Sequence, residues 1–491
     1  MKENNYKYSQ YVPLGNESRW ATREEIRRSG LELDLRQEHY AGGGLPLLSD
    51  GVHAVVDDAD THTLIFGATG SKKTRLFCMP LLNILVRAGE SFVATDPKGE
   101  LCARTSGIAR ENGYRIVVLN FRDIGRGDMW NPLALPFSMY RAGRYEEAVS
   151  LLNDFVSVIA EPQFQNANDR FWPEMASSLA LANLLLLMEY GTQETVHMSS
   201  MASLCTGASE VVLENLAAYM PPNSLAGINY GGIFGAAENT KKSIYATLFG
   251  MLRIFIANRS LSRMLSGNTV DIRRFGEEKT AVYIIVPDEK SATHFLVTAF
   301  VKQVYEILIG EAQQHADKRL PVRVNFVLDE FCNLPKFPDM PSMISAARSR
   351  NMRFFLVAQS LHQLRGKYGE DADTIKGNCD NWVFLTSREL DLLREISELC
   401  GTVREGPDTK RPLISVSELQ RLDKARGEAL IMHARQYPII TEMADIDMYE
   451  TFRGYPEIAP KPFDLPDPPL FPLAEFYRSV KLKREILHFP I

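Results

Sequence analysis

The sequence predicts an α/β fold: a mainly parallel sheet carrying a phosphate-binding loop and interrupted by an inserted all-α domain. Three observations predict it. Eight short runs of β-branched and apolar residues (63–66, 91–95, 115–119, 281–286, 324–328, 353–358, 382–385 and 429–432) each lead into a turn and a helical stretch. Runs so short and so apolar suit strands buried on both faces. Between residues 137 and 258 the runs stop, and apolar residues recur at helical spacing, as in Ala148, Leu151, Leu152, Phe155 and Val156. Finally, the first run enters a glycine-bearing loop with a Lys-Thr pair, followed by an apolar helix.

At 491 residues the chain is too long for one ordinary domain. Its 45% hydrophobic and 24% charged content excludes wholesale disorder. Net charge is −6, so any contact with nucleic acid has to be local. The six cysteines are scattered, with no Cys-x-x-Cys pair, which points to a reducing compartment and to neither a disulfide framework nor a zinc site. Residues 1–28 are too polar for a secretory signal. The most apolar stretch, 179–188, is interrupted by Asn183 and is about half the ~20 residues a spanning helix needs. No membrane crossing is expected.

In order along the chain, residues 1–60 are polar, with Gly42, Gly43 and Gly44 as punctuation, and read as an irregular lead-in. Residues 61–136 form the first part of the α/β domain. Residues 137–258 form the inserted all-α domain, and 259–455 complete the α/β domain. The insertion holds six Lys and Arg against eleven Asp and Glu, so −5 of the chain's −6 lies there. Residues 456–472 carry seven prolines, which preclude regular structure, and 456–491 read as a Pro-rich C-terminal strap rather than a proline-recognition motif.

The loop comprises Gly67, Ala68, Thr69, Gly70, Ser71, Lys72, Lys73 and Thr74. A strand, such a loop and a helix together direct backbone N–H groups and a helix N-terminus at phosphates. Lys73 is expected at the β- and γ-phosphates of ATP, and the Thr74 hydroxyl on Mg²⁺. Lys72 stands where the pattern has glycine. Its side chain risks about 1–3 kcal/mol of strain and a clash, and either lysine is open as the phosphate ligand. The run 324–328 ends in Asp329 and Glu330: Asp329 suits the Mg²⁺ shell, and Glu330 suits a base that polarises the attacking water. The run 353–358 ends at Gln359, placed to bond the γ-phosphate or the lytic water. Phosphate loop, acidic strand and Gln-ended strand in this order describe a RecA-like P-loop NTPase domain. Arg348 and Arg350 are candidates for a finger reaching a neighbouring subunit's ATP. Asp96 and Glu100 follow the second run, where a nucleotide cleft should lie, although Lys98 can equally pair with one of them.

The wording is distinctive. HTLIFGATGS from His62, DPKGE from Asp96, WNPL from Trp130 and FW from Phe171 occur in this order. LDEF from Leu328, VAQSL from Val357, Asn378 with Cys379, and RPL from Arg411 follow. Over roughly residues 18–456 the chain resembles the TraG/TraD-type coupling ATPases of type IV secretion and bacterial conjugation. The resemblance implies a homo-hexameric ring at the cytoplasmic, inner face of the bacterial cell membrane. Such a ring takes relaxase-bound single-stranded DNA and drives it into the secretion channel with ATP and Mg²⁺. It also implies that the all-α domain meets relaxosome proteins. The acidity there suits a basic protein better than DNA, or is simply a solvated surface. The family usually has N-terminal transmembrane helices; this chain reads either as a soluble form recruited by membrane partners, which the polar start at Met1 favours slightly, or as a product lacking that region. A nucleotide-binding adaptor that recruits cargo without efficient hydrolysis is the alternative, on account of Lys72. A chromosome-segregation translocase fits the DPKGE and WNPL wording less well.

Overall fold

The computed structural model describes residues 17–166, 169–405, 409–463 and 466–487. The first 16 residues of the lead-in, and residues 464–465 and 488–491 of the strap, lie outside it. By packing, the chain divides into two compact units. One takes the chain up to Val118 with Ile272–Ser291 and Val304–Ala459. The other takes Leu119–Asp271, Ala292–Gln303 and the chain from Pro460.

The strands in order are β1 (Leu31–Asp34), β2 (Leu45–Ser49), β3 (His53–Asp57), β4 (Thr63–Phe66), β5 (Ser91–Asp96), β6 (Arg115–Asn120) and β7 (Thr280–Ile285). They continue with β8 (Val324–Leu328), β9 (Met352–Ala358), β10 (Asn381–Phe384), β11 (Thr402–Arg404), β12 (Lys410–Pro412), β13 (Glu428–His433) and β14 (Ile439–Glu442). The main sheet has the order β14-β13-β10-β4-β9-β8-β5-β7-β6. β10, β4, β9, β8, β5 and β7 pair in parallel, and β13 and β14 add an antiparallel edge. Every residue of β4, β5, β7, β8 and β9 is buried, which is why their sequences run apolar without alternation. All eight predicted runs are strands of this sheet.

The lead-in is not irregular. β1, β3 and β2 form a three-stranded antiparallel sheet, with a bulge between Pro46 and Leu48. The glycines mark close approaches: a Cβ on Gly44 would fall 1.7 Å from the Asp57 carbonyl oxygen. Nearby sits a buried charge network. Arg353, at the start of β9, donates to Glu90 Oε2 at 2.5 Å, to Asn325 Oδ1 at 2.8 Å and to the Gly43 carbonyl at 3.0 Å. Asn325 in turn donates to Glu90 at 2.9 Å. Arg353 is 1% exposed, so removing its carboxylate partner strands a charge in a low dielectric. Glu90→Ala is therefore expected to cost about 3–5 kcal/mol, read as a fall in the denaturant midpoint.

The second unit is mainly helical, with helices from Ala134–Arg141 to Arg259–Met264. It is larger than residues 137–258. Trp130 Nε1 donates to Gln303 Oε1 at 2.8 Å, and Gln303 donates to the Pro132 carbonyl at 3.0 Å, so the WNPL segment anchors this unit's packing. Two helices, Phe171–Tyr190 and Ser291–Gln314, are long and apolar enough to cross a membrane, with 61% and 78% of their most apolar stretch buried in the protein. Asn183, inside the first, accepts from the Tyr230 hydroxyl at 2.6 Å and donates to Cys205 Sγ at 3.4 Å. The polar interruption of the apolar run is thus satisfied within the fold.

Within the same unit, the described residues from Pro460 to Pro472 form no helix and no strand beyond an isolated bridge between Pro462 and Arg126. Lys461 accepts from Gly127 N at 2.8 Å, the Pro469 carbonyl meets His197 at 3.0 Å, and Phe471 N donates to Ser200 at 3.0 Å. The strap does not stay extended to the end: Leu473–Leu487 is a helix. Pro472 supplies the carbonyl for its first bond, to Phe476 N at 2.9 Å, and no proline follows among the described residues.

Candidate functional site

The loop of residues 67–74 joins β4 to the helical turns Thr74–Cys78 and Met79–Ala88. Its entrance is tied to both flanking strands' exits: Gly67 N donates to the Ala358 carbonyl at 3.2 Å, and Ala68 N to Thr386 at 2.8 Å. A Cβ on Gly67 would sit 2.4 Å from Ser71 Oγ and 3.1 Å from Lys73 Cγ, so a side chain here would push on both loop residues. Lys73 is buried, and its ammonium donates to the Gly67 carbonyl at 2.6 Å, folded within the loop. The Ser71 hydroxyl is buried with no partner among the described residues.

Lys72 adopts φ +67°, the left-handed conformation that glycine supplies at little cost. Its ammonium lies 3.5 Å from Asp445, which also pairs with Arg75. The lysine thus keeps the glycine-like backbone and turns its side chain to an acid far along the chain. Lys72→Gly is expected to change ATP turnover by less than about threefold. Relief of left-handed strain is offset by unfolded-chain entropy and a lost, partly exposed ion pair, so stability should move by no more than about 1 kcal/mol. Steady-state kinetics and thermal melts check both.

The acidic strand end comes directly to this loop. Thr74 Oγ1 donates to Asp329 Oδ2 at 3.0 Å, and Thr95 Oγ1 to the Asp329 carbonyl at 2.8 Å. Burial, reinforced by the neighbouring Glu330 charge, pushes the Asp329 carboxyl up to about 6. Glu330 stands at φ +55°, an unusual conformation for a glutamate. It accepts from Gln359 Nε2 at 2.7 Å and from Asn333 at 3.3 Å. Gln359 Oε1 accepts from Thr69 Oγ1 at 3.1 Å. One amide therefore links the phosphate-type loop to the acidic strand. An added Mg²⁺ would find a hydroxyl and a buried carboxylate side by side at Thr74 and Asp329, a hard-oxygen donor set that fits it.

Arg348 and Arg350 are not brought into this cluster. Arg348 pairs with Asp380 and donates to the Asn378 carbonyl, and Arg350 donates to Ala346 and Ser349. Both precede β9, whereas Gln359 follows it, roughly 20 Å of strand away. Asp96 accepts from Cys102 N at 2.8 Å at the start of the helix Glu100–Glu111, and burial raises its carboxyl to about 6. Asp445, the partner of Lys72, has no sequence signal that marks it in advance.

Comparison with known proteins extends the match beyond this cluster. The family model described as type IV secretory system conjugative DNA transfer matches residues 18–405. The conjugal transfer protein TraG of Escherichia coli is 24% identical over 95% of this chain and 78% of its own length. TraG of Rhizobium radiobacter is 22% identical over 79% of this chain and 59% of its own. Among solved structures, the plasmid coupling protein TrwB in complex with ADPNP matches with a TM-score of 0.65 at 15% identity, over 92% of this chain and 97% of TrwB. VirB4 of Thermoanaerobacter pseudethanolicus matches with a TM-score of 0.51 at 16% identity, over 83% of this chain and 98% of VirB4. The phosphate-type loop, acidic strand and Gln-ended strand thus stand in the fold of these proteins, and the chain belongs to the type IV secretory system conjugative DNA transfer family, as a TraG/TraD-type coupling protein.

Proposed function

We propose that this coupling protein is an ATP-driven motor that recruits relaxase-bound single-stranded DNA and drives it into the conjugative secretion channel. The observation that carries the reading is the Thr69–Gln359–Glu330 chain of hydrogen bonds beside the Thr74–Asp329 pair. TrwB, which shares the fold, has been solved with ADPNP and with ADP and Mg²⁺, which supports ATP and Mg²⁺ as this chain's ligands.

In this reading the loop residues 67–74 cradle the polyphosphate, with Lys73 leaving the Gly67 carbonyl for the β- and γ-phosphates. Thr74 and Asp329 would hold Mg²⁺, which would supply positive charge to offset that of the polyphosphate. Glu330 accepts the proton of the attacking water, and Gln359 orients that water and reports its loss to Thr69. Arg348 or Arg350 serves a neighbouring copy's ATP only if it leaves its present partners. Six copies form the working ring at the inner membrane face, and the mainly helical unit meets relaxosome proteins. The adaptor alternative is not favoured, because Lys72 keeps the backbone conformation of the glycine it replaces. The test is ATP turnover by the purified protein with and without single-stranded DNA. No turnover with DNA and relaxosome proteins present would sink the motor reading.

A further inference from the structure

We propose that the loop of residues 421–427 is a second wall of the polyphosphate site, with Lys424 a phosphate ligand and Arg421 beside it. The inference rests on the nucleotide reading above and adds to it residues outside the phosphate-type loop. Topology brings the two loops together. β13 runs antiparallel to β10 with Leu430 opposite Phe384, and Phe384 lies beside Phe66, the last residue of β4. The segment just before β13 therefore emerges at the sheet edge where residues 67–74 begin.

The loop is held rather than draped. Asp423 Oδ1 accepts from Ala425 N at 2.8 Å, and the Asp423 carbonyl accepts from Glu428 N at 3.0 Å. Gly427 has φ +72°, and a Cβ there would fall 2.5 Å from the Met443 carbonyl and 3.5 Å from Leu76 Cδ2. The left-handed backbone and the close Met443 carbonyl reserve this position for glycine, and the turn packs in ordinary contact with Leu76, two residues past Thr74. At its tip, the Lys424 ammonium lies 3.5 Å from the place a Cβ would take on Gly70, and beyond Gly70's chain neighbours no other described atom comes within 4 Å of that place. Between the loops opens a cleft of about 670 Å³ lined by Lys72, Arg421, Leu422, Asp423, Lys424 and Ala425.

The charges in this cleft decide what it suits. Lys72 is engaged by Asp445, and Asp423 commits one carboxylate oxygen to its own loop's N–H groups. Among the described residues, no ion pair or side-chain hydrogen bond holds Arg421 or Lys424. Two uncommitted cations facing a phosphate-type loop fit a multiply charged phosphate tail, not a neutral base. They also explain how the loop can give up Lys72 to Asp445 and still present positive charge from outside.

The test titrates mant-ATP, mant-ADP and mant-AMP with Mg²⁺ into the full chain. Lys424→Ala is expected to weaken mant-ATP by about tenfold and mant-AMP by less than about twofold, and Lys424→Arg to restore most of the loss. Lys424 is exposed, so the fold should tolerate both changes. A dependence on phosphate number is what a merely structural loop would not produce. Unchanged mant-ATP affinity in Lys424→Ala, beside lost affinity in Lys73→Ala, overturns this inference alone. If the wild type binds no mant-ATP, the nucleotide reading fails and this inference fails with it.

Discussion

Glu330→Gln is expected to lower DNA-stimulated ATP turnover by at least about two orders of magnitude while leaving ATP affinity within about threefold. The substitution is nearly isosteric. An amide oxygen at this position can still accept from Gln359 Nε2, now 2.7 Å away, so the Thr69–Gln359 link should survive. What disappears is the carboxylate proposed to take a proton from water, and general-base catalysis is worth roughly 10²–10⁴ in rate. Binding should persist, because the loop's amides, Lys73 and the Thr74–Asp329 pair are untouched. Coupled-enzyme turnover and mant-ATP titration on the same preparation separate the two effects. A variant that keeps more than a tenth of wild-type turnover would mean that another group activates the water. Equal loss of binding and turnover would mean that Glu330 shapes the pocket rather than the chemistry. Its left-handed backbone makes that contrast informative, since glutamine tolerates this region no better than glutamate and adds no new strain.

Much of the α/β framework was legible because its strands are buried on both faces, so apolar runs of four to seven residues announce themselves. The lead-in sheet was not. β2 contains Pro46 and a bulge, which break its alternation, and the alternation of β1 lasts only the four residues Leu31–Asp34. The glycines at 43 and 44 read as loose punctuation, yet they are places where Arg353 and the Asp57 carbonyl approach the backbone closely. Asp329, Glu330 and Gln359 were legible because a strand's last residues fall at the sheet's C-terminal edge, where the phosphate-type loop also begins. Lys72 was half legible. Sequence pattern marks a glycine position and the cost of a side chain, but not the direction in which that side chain leaves. Asp445, which draws it away, and Lys424, which stands over Gly70, come from the segments flanking β13 and β14. They are joined to the loop only by sheet order, and a one-dimensional pattern does not carry sheet order.

Asp329→Asn is expected to abolish turnover and yet to raise the stability of the nucleotide-free protein at pH 8 by about 1–2 kcal/mol. The carboxyl is 5% exposed, and burial lifts its pKa to about 6, above the usual value near 3.8. A carboxylic acid whose folded pKa is raised binds more protons folded than unfolded between those two values. Stability therefore falls as pH rises through that window, and the full penalty applies above about pH 6. A rise of that size corresponds to roughly 3 kcal/mol, an upper figure for the ligand-free state. Asparagine carries no charge to desolvate and can still accept from the Thr74 hydroxyl. Its amide group, however, would face the Glu330 N–H that now donates to Asp329 at 3.0 Å, which offsets part of the gain. Denaturant midpoints should show the variant more stable at pH 8 and the advantage gone near pH 4, where the wild-type carboxyl is already neutral in the folded protein. With saturating ATP and Mg²⁺ the order should reverse, because the ligand should stabilise the chain that keeps the proposed metal-holding carboxylate more than the variant. A variant no more stable at pH 8 than at pH 4, relative to wild type, would mean that the fold imposes no desolvation penalty on Asp329. The acidic strand would then carry its charge there without strain, and the case for a cation as its missing partner would weaken.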